Sequence, residues 1–271
     1  MINWLTVESR DCPTPQRMLG PEERMCYEGL HTKKRQQDWL LGRAAAKRLV
    51  LRHLGARGAS LPLAAIRVVN DFDGAPRVVP AGLALADRDI CAELSALCIS
   101  ISHSEDRSLC AIMTSTQSTA RNLQSAIALG ADIETIASRG RGFAVAYYTA
   151  DELAFLGAAP IECYDTLSTA IWSAKEALLK FTRHGLRVDT RMVTCLPAPP
   201  ERDGWASVAI STKLTDVPVV GWWRVFSDHV ITIAAGVGGE GALGTETSPA
   251  LRPAFSDKGE PCRIISTDCE R

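Results

Sequence analysis

The sequence predicts an α+β protein made of two similar halves side by side, a pseudo-dimer within one chain. Three observations predict it. Residues 34–54 repeat apolar side chains at helical spacing and lead into short β-rich pieces. From about residue 149 helical stretches are again followed by β-rich pieces, so each half offers a long helix and several strands. The 271 residues suffice for one large domain or two small ones, and with no visible sequence repeat the similarity lies in the order of elements. The expected halves are residues 1–124 and 125–236, followed by a flexible tail at 237–271.

The first helix is expected over 34–54, where Leu40, Leu41, Ala44, Ala45, Leu49 and Leu51 share a face, and it ends at Gly55. A strand at 66–69 and a second piece at 76–79 flank the turn residues Asn70, Asp71, Asp73 and Gly74, which reads as a hairpin. Two further strands, 97–102 and 109–113, flank a loop from His103 to Arg107, and a polar loop holds residues 115–119. The second half opens with a strand at 125–134, continues with helices at 149–156 and 163–182, and closes with strands around Val208, at 219–226 and at 230–235. Beyond Gly236 the chain is rich in Gly, Pro, Ser and Glu and poor in periodic apolar residues, the composition of a linker.

Composition narrows the function classes. Hydrophobic residues make up 46% and charged residues 23%, as in a globular protein. With 30 basic against 31 acidic residues there is no global field to gather nucleic acid or anionic membrane, and no nucleic-acid motif is present. No apolar run approaches the ~18 residues of a membrane span, and the first residues have neither a basic region nor an apolar core for export. The nine cysteines form no C-x-x-C pair, which predicts reduced thiols in a cytoplasmic protein.

Several residue groups could carry chemistry. In the segment SAIALGADIE, strand alternation puts Ile127, Leu129, Ala131 and Ile133 on one face and Gly130, Asp132 and Glu134 on the other. The two carboxylates, ~7 Å apart along a strand, suit Mg²⁺, although a solvated strand edge presents the same pair. In IWSAKEALLKF, Trp172, Glu176 and Lys180 fall on one helical stripe with Lys175 beside it, either a surface Glu176–Lys180 pair or a third carboxylate with two cations. Ser102, His103 and Ser104 stand at the end of a buried strand, where His103 is a turn residue with a bonded ring or a phosphate contact. Trp39, Arg43 and Lys47 share a helix face, a solvated surface or the lining of an anion site.

Taken in order, LLGRAAAK (41–47), N-x-x-x-G-x-P (70–76), SISHS (100–104), GADIE (130–134) and WSAKEALLK (172–180) resemble the Sfp-type 4′-phosphopantetheinyl transferases from about residue 19 to residue 190. The resemblance implies that coenzyme A lies in the cleft between the two α+β halves. Its phosphopantetheine arm passes to a serine of an acyl or peptidyl carrier protein of fatty acid, polyketide or nonribosomal peptide synthesis, releasing 3′,5′-ADP. By the same resemblance Asp132, Glu134 and Glu176 hold Mg²⁺. Lys175 and Lys180 contact phosphates, Arg43 and His103 address the 3′-phosphate, Pro76 lines the adenine pocket, and Ser102 is a further coenzyme A-binding residue. Glu176, with Lys180 next to it, is the expected base for the incoming serine, and Glu152 in YYTADEL is a second candidate.

Two features depart from the family pattern. Gly74-Ala75-Pro76 replaces the usual G-K-P and so lacks a lysine; Arg77 is the candidate substitute, although strand alternation sends it to the opposite face. The tail is compatible with a domain of a larger synthase, and a pseudo-dimeric chain that holds both halves of its cleft is expected to be a monomer. The runner-up function is a non-catalytic module of the same fold that binds coenzyme A or a carrier protein.

Overall fold

A computed structural model describes residues 2–114 and 128–236. The polar loop at 115–119, the start of the strand expected at 125–134 and the tail lie outside the described residues. In chain order the elements are β1 (Ile2–Glu8), α1 (Pro15–Met18), α2 (Pro21–Glu28), α3 (Lys33–Gly55), β2 (Ile66–Asn70), β3 (Pro76–Pro80), α4 (Arg88–Ser95), β4 (Leu97–Ser104) and β5 (Arg107–Thr114). After the undescribed segment come β6 (Leu129–Thr135), α5 (Arg141–Tyr147), α6 (Ala150–Ala158), α7 (Tyr164–Phe181), β7 (Val193–Pro197), β8 (Trp205–Thr212), β9 (Val219–Phe226) and β10 (His229–Gly236).

The strands form an antiparallel sheet β1-β5-β4, a hairpin β2-β3 and an antiparallel sheet β6-β10-β9-β8-β7. On the first sheet lies α3, whose Leu41, Ala44, Ala45 and Leu49 join Ile99, Cys110 and Ile112 in one core. The second sheet carries α7, whose Ala174, Ala177 and Leu178 pack with Val193, Trp223 and Val230. The sheet faces that carry no helix meet each other through Leu109, Ala111, Leu129, Ala131, Ile133 and Ile233. Helix, sheet, sheet and helix therefore stack in that order, as burial of one apolar face per element requires.

Where the sheets meet, β4 and β6 are both edge strands, and the alternating serines of LCISISHS cover the exposed backbone. Ser100 Oγ accepts from Ala131 N at 2.9 Å and Ser104 Oγ accepts from Thr135 N at 3.0 Å. These hydroxyls replace the missing strand neighbour.

The structure corrects the expectation for residues 103–107. Ser104 pairs with Arg107, so the strands run on to a two-residue turn at Glu105 and Asp106, with Glu105 at φ 50°. His103 is thus a strand residue, not a turn residue. Six of these elements have no counterpart among those the sequence predicts: β1, which pairs with β5 along its whole length, α1, α2, α4, α5 and β7. None of the seven cysteines among the described residues is in a disulfide. Among the described residues no helix is long and apolar enough to cross a membrane.

Candidate active site and acidic cluster

The site begins with a close approach of α7 to β6. A Cβ on Gly130 would lie 1.8 Å from Ala177 O and 2.8 Å from Phe181 N, so only glycine lets the helix lie this near the strand. Alternation then aims Asp132 and Glu134, two and four residues on, at the same helix face. There Glu176, one residue before Ala177, meets them, and each of the three carboxylates offers an oxygen within 4.8 Å of the others.

Asp132 is fully buried. Its Oδ1 accepts from Ser102 Oγ and from Lys180 Nζ, both at 2.7 Å, while Oδ2 is buried with no hydrogen-bond partner. A buried carboxylate oxygen without a donor is costly unless something positive occupies the space before it. Lys180 does not form the helical pair with Glu176: its ammonium bonds Asp132, Ser102 Oγ at 2.8 Å and Ala131 O at 3.2 Å.

Burial, then the nearby Asp132 charge, push the Glu176 carboxyl up to about 7; Glu134 adds to this, and Lys180 opposes it. Burial and Asp132 likewise raise Glu134, against a 2.8 Å bond from Arg139. Three mutually repelling carboxylates with one unsatisfied oxygen fit a hard divalent cation, which takes oxygen ligands and relieves the repulsion. The donor set is all oxygen, as Mg²⁺ prefers.

Lys175 and Glu152 lie elsewhere. Adjacent helix residues point about 100° apart, so Lys175 leaves the stripe of Trp172, Glu176 and Lys180 and enters the core, fully buried 2.8 Å from the equally buried Glu152. Its ammonium also donates to Thr190 O at 2.9 Å and to Val193 O. Glu152 completes a capping box with Thr149 and accepts from Cys195 N at 2.7 Å. With every donor and acceptor engaged, this pair joins α6, α7 and β7 and does not face the acidic cluster.

A cleft of about 600 Å³ beside the cluster is lined by Gly74, Ala75, Pro76, Ser100, Leu129 and Lys180 among others. Pro76 and Lys180 thus share one cavity, but Arg43 and His103 do not line it. Arg43 lies in a separate recess of about 410 Å³ with Arg35, Arg67 and Asn70. Its guanidinium stands 3.4 Å from the Trp39 ring centroid, and burial lowers it to about 10. His103, exposed, alternates away from Ser102 and so away from Asp132. Lys47, on the same helix, is buried against Glu23.

Arg77 does line the cleft, 3.1 Å from Asp71, contrary to the opposite-face expectation: Ala75, Pro76 and Arg77 all border it at the start of β3. Two arginines that sequence reasoning passed over join it. Arg183 reaches Asp73 at 3.1 Å and Asp71 at 3.4 Å, and Arg187 donates to Asp73 O at 3.3 Å. These contacts span more than a hundred residues of sequence, and only the basic run after α7 hints at them.

Among solved structures the chain is similar to the holo-[acyl-carrier-protein] synthase of Thermotoga maritima, at 16% identity over 48% of this chain and 67% of that one, with a TM-score of 0.34. It is similar to the holo-(acyl-carrier-protein) synthase of Bacillus anthracis in complex with CoA (3′,5′-ADP), at 22% identity over 42% of this chain and 96% of that one, with a TM-score of 0.32. The acyl carrier protein synthase of Mycobacterium tuberculosis matches at 26% identity over 41% and 92%, with a TM-score of 0.29. No curated protein matches the sequence. Residues 128–234, the segment that carries Asp132, Glu134, Glu176 and Lys180, match the ACPS model of the 4′-phosphopantetheinyl transferase superfamily.

Proposed function

We propose that this chain is an Sfp-type 4′-phosphopantetheinyl transferase that moves the phosphopantetheine arm of coenzyme A to a serine of an apo acyl or peptidyl carrier protein and releases 3′,5′-ADP. The observation that carries the reading is the triad of Asp132, Glu134 and Glu176, with its unsatisfied Asp132 oxygen, inside the segment that matches the superfamily. The motifs N-x-x-x-G-x-P and SISHS, which precede that segment, support the Sfp type. Two halves that each lay a long helix on an antiparallel sheet support the pseudo-dimer, with the substrate in the cleft at their junction.

Asp132, Glu134 and Glu176 would hold Mg²⁺, which when bound neutralises the pyrophosphate and the charge developing on the leaving 3′,5′-ADP. Lys180 and Ser102 hold Asp132 in place, and Lys180 adds positive charge at the end of the cleft that Pro76 also lines. The serine Oγ forms a bond to the phosphorus of the phosphopantetheine, and the bond from that phosphorus to the oxygen of 3′,5′-ADP breaks. Glu176 takes the serine proton, the role that the resemblance to the Sfp type implies for it.

The test is intact mass spectrometry of an apo carrier protein incubated with this chain, coenzyme A and Mg²⁺, with and without a chelator. The expected result is a chelator-sensitive gain of one phosphopantetheine unit. No gain with several carrier types, alongside measurable coenzyme A binding, would assign the chain to the non-catalytic module instead.

A further inference from the structure

Arg139 belongs to none of the sequence motifs, yet it borders the acidic triad. It lies between β6 and α5, its side chain only 16% exposed, and donates to Glu134 Oε2 at 2.8 Å. The guanidinium carbon is 5.1 Å from the centroid of Phe143 and 5.8 Å from that of Trp172, and these rings meet edge to face at 4.9 Å. Its Nε is buried without a partner, and among the described residues the rings and Glu134 hold the group. Trp172 sits one turn before Glu176 on α7, which gives the aromatic on that charged stripe a role: it braces Arg139.

We propose that Arg139 is a positioning residue of the metal site: braced on Phe143 and Trp172, it holds the Glu134 carboxylate toward Asp132 and Glu176. The proposal rests on the metal reading of the triad given above. Electrostatics alone would assign Arg139 the opposite effect, since a cation beside a cation site repels the incoming ion. A residue that orients a ligand strengthens metal binding, because the carboxylate is already in place when the ion arrives. The two roles therefore differ in sign.

Isothermal titration of the full chain with Mn²⁺, without coenzyme A or carrier, reads that sign directly. Arg139→Met is expected to weaken Mn²⁺ binding ~10-fold or more, the usual cost of losing a group that orients a metal ligand. Arg139→Lys keeps the charge but loses the planar fork that rests on the rings, and is expected to weaken binding as well. Binding by Arg139→Met as tight as wild type, or tighter, overturns the proposal. Should that variant fail to fold, Arg139→Lys decides: weakened binding supports positioning, and unchanged binding overturns it. A wild-type chain that takes up no Mn²⁺ overturns the metal reading itself, and this proposal with it.

Discussion

Lys180 Nζ and Asp132 Oδ1 are 2.7 Å apart, although helical spacing alone pairs Lys180 with Glu176 one turn before it on α7. The lysine reaches across to the strand, where Asp132 is fully buried and its charge needs a partner. The consequence is a division of labour: Asp132 has one oxygen satisfied by protein and one open, and Glu176 keeps its carboxylate for a cation or a proton.

Glu176→Gln and Asp132→Asn should each lower transfer by ~100-fold or more, because both remove a negative oxygen from the metal site. Their effects on metal-free stability should differ. Glu176→Gln removes a repelling charge and should raise the melting temperature, whereas Asp132→Asn leaves Lys180 without its partner and should not. Near-wild-type transfer in either variant, followed by mass spectrometry of the carrier, would sink the assignment.

Gly130→Ala should be among the most damaging single-methyl changes in the chain. The new Cβ would overlap Ala177 O, so α7 must move off β6, at a cost of about 3 kcal/mol. The same displacement separates Glu176 from Asp132, so Mn²⁺ affinity should fall even in the fraction that remains folded. A variant with wild-type melting and Mn²⁺ affinity would show that the helix does not sit this close.

Lys175→Met tests the position of a residue that the motif W-S-x-K-E-A-x-x-K suggests as a phosphate contact. Losing one partner of a pair with both side chains buried should cost ~3–5 kcal/mol, since Glu152 is left charged in the core. Transfer per folded molecule, and the KM for coenzyme A, should stay near wild type at low temperature. A raised KM with unchanged melting would return Lys175 to the cleft.

What could be read from the sequence follows from periodicity. The alternation in GADIE and the stripe of Glu176 and Lys180 each predict a face, and in the structure Asp132, Glu134 and Glu176 come together where the two faces meet. Elements with weak local signals were not legible: β1 is a strand that gains its meaning from β5, and α5 is a seven-residue helix without a side-chain cap, opened by Gly140 and carrying Gly142. Arg139 lies in irregular chain, where no period says which way a side chain turns. Arg183 and Asp73 come together only through the assembled fold, and His103 and Arg43 illustrate that sharing a motif does not mean sharing a cavity.

The metal-free chain should lose stability at this site as pH rises from about 5 to 8. Glu176 is raised to about 7 in the folded chain against an ordinary 4.5, so between those values the folded state holds a proton that the unfolded state has released. Stability from this group is therefore greatest below the unfolded value and declines as pH climbs through the folded one. Glu134, raised in the same direction, adds to the decline, while Lys180 and Arg139 limit it. Melting curves of the chelated protein at pH 6 and 8 measure the slope, and Glu176→Gln should flatten it. Adding Mg²⁺ at pH 8 should restore the lost stability, because a bound cation stabilises the ionised carboxylates that proton release leaves in mutual repulsion. A chelated protein that melts higher at pH 8 than at pH 6, with Glu176→Gln unchanged from wild type, would mean that the three carboxylates do not repel one another as their spacing requires.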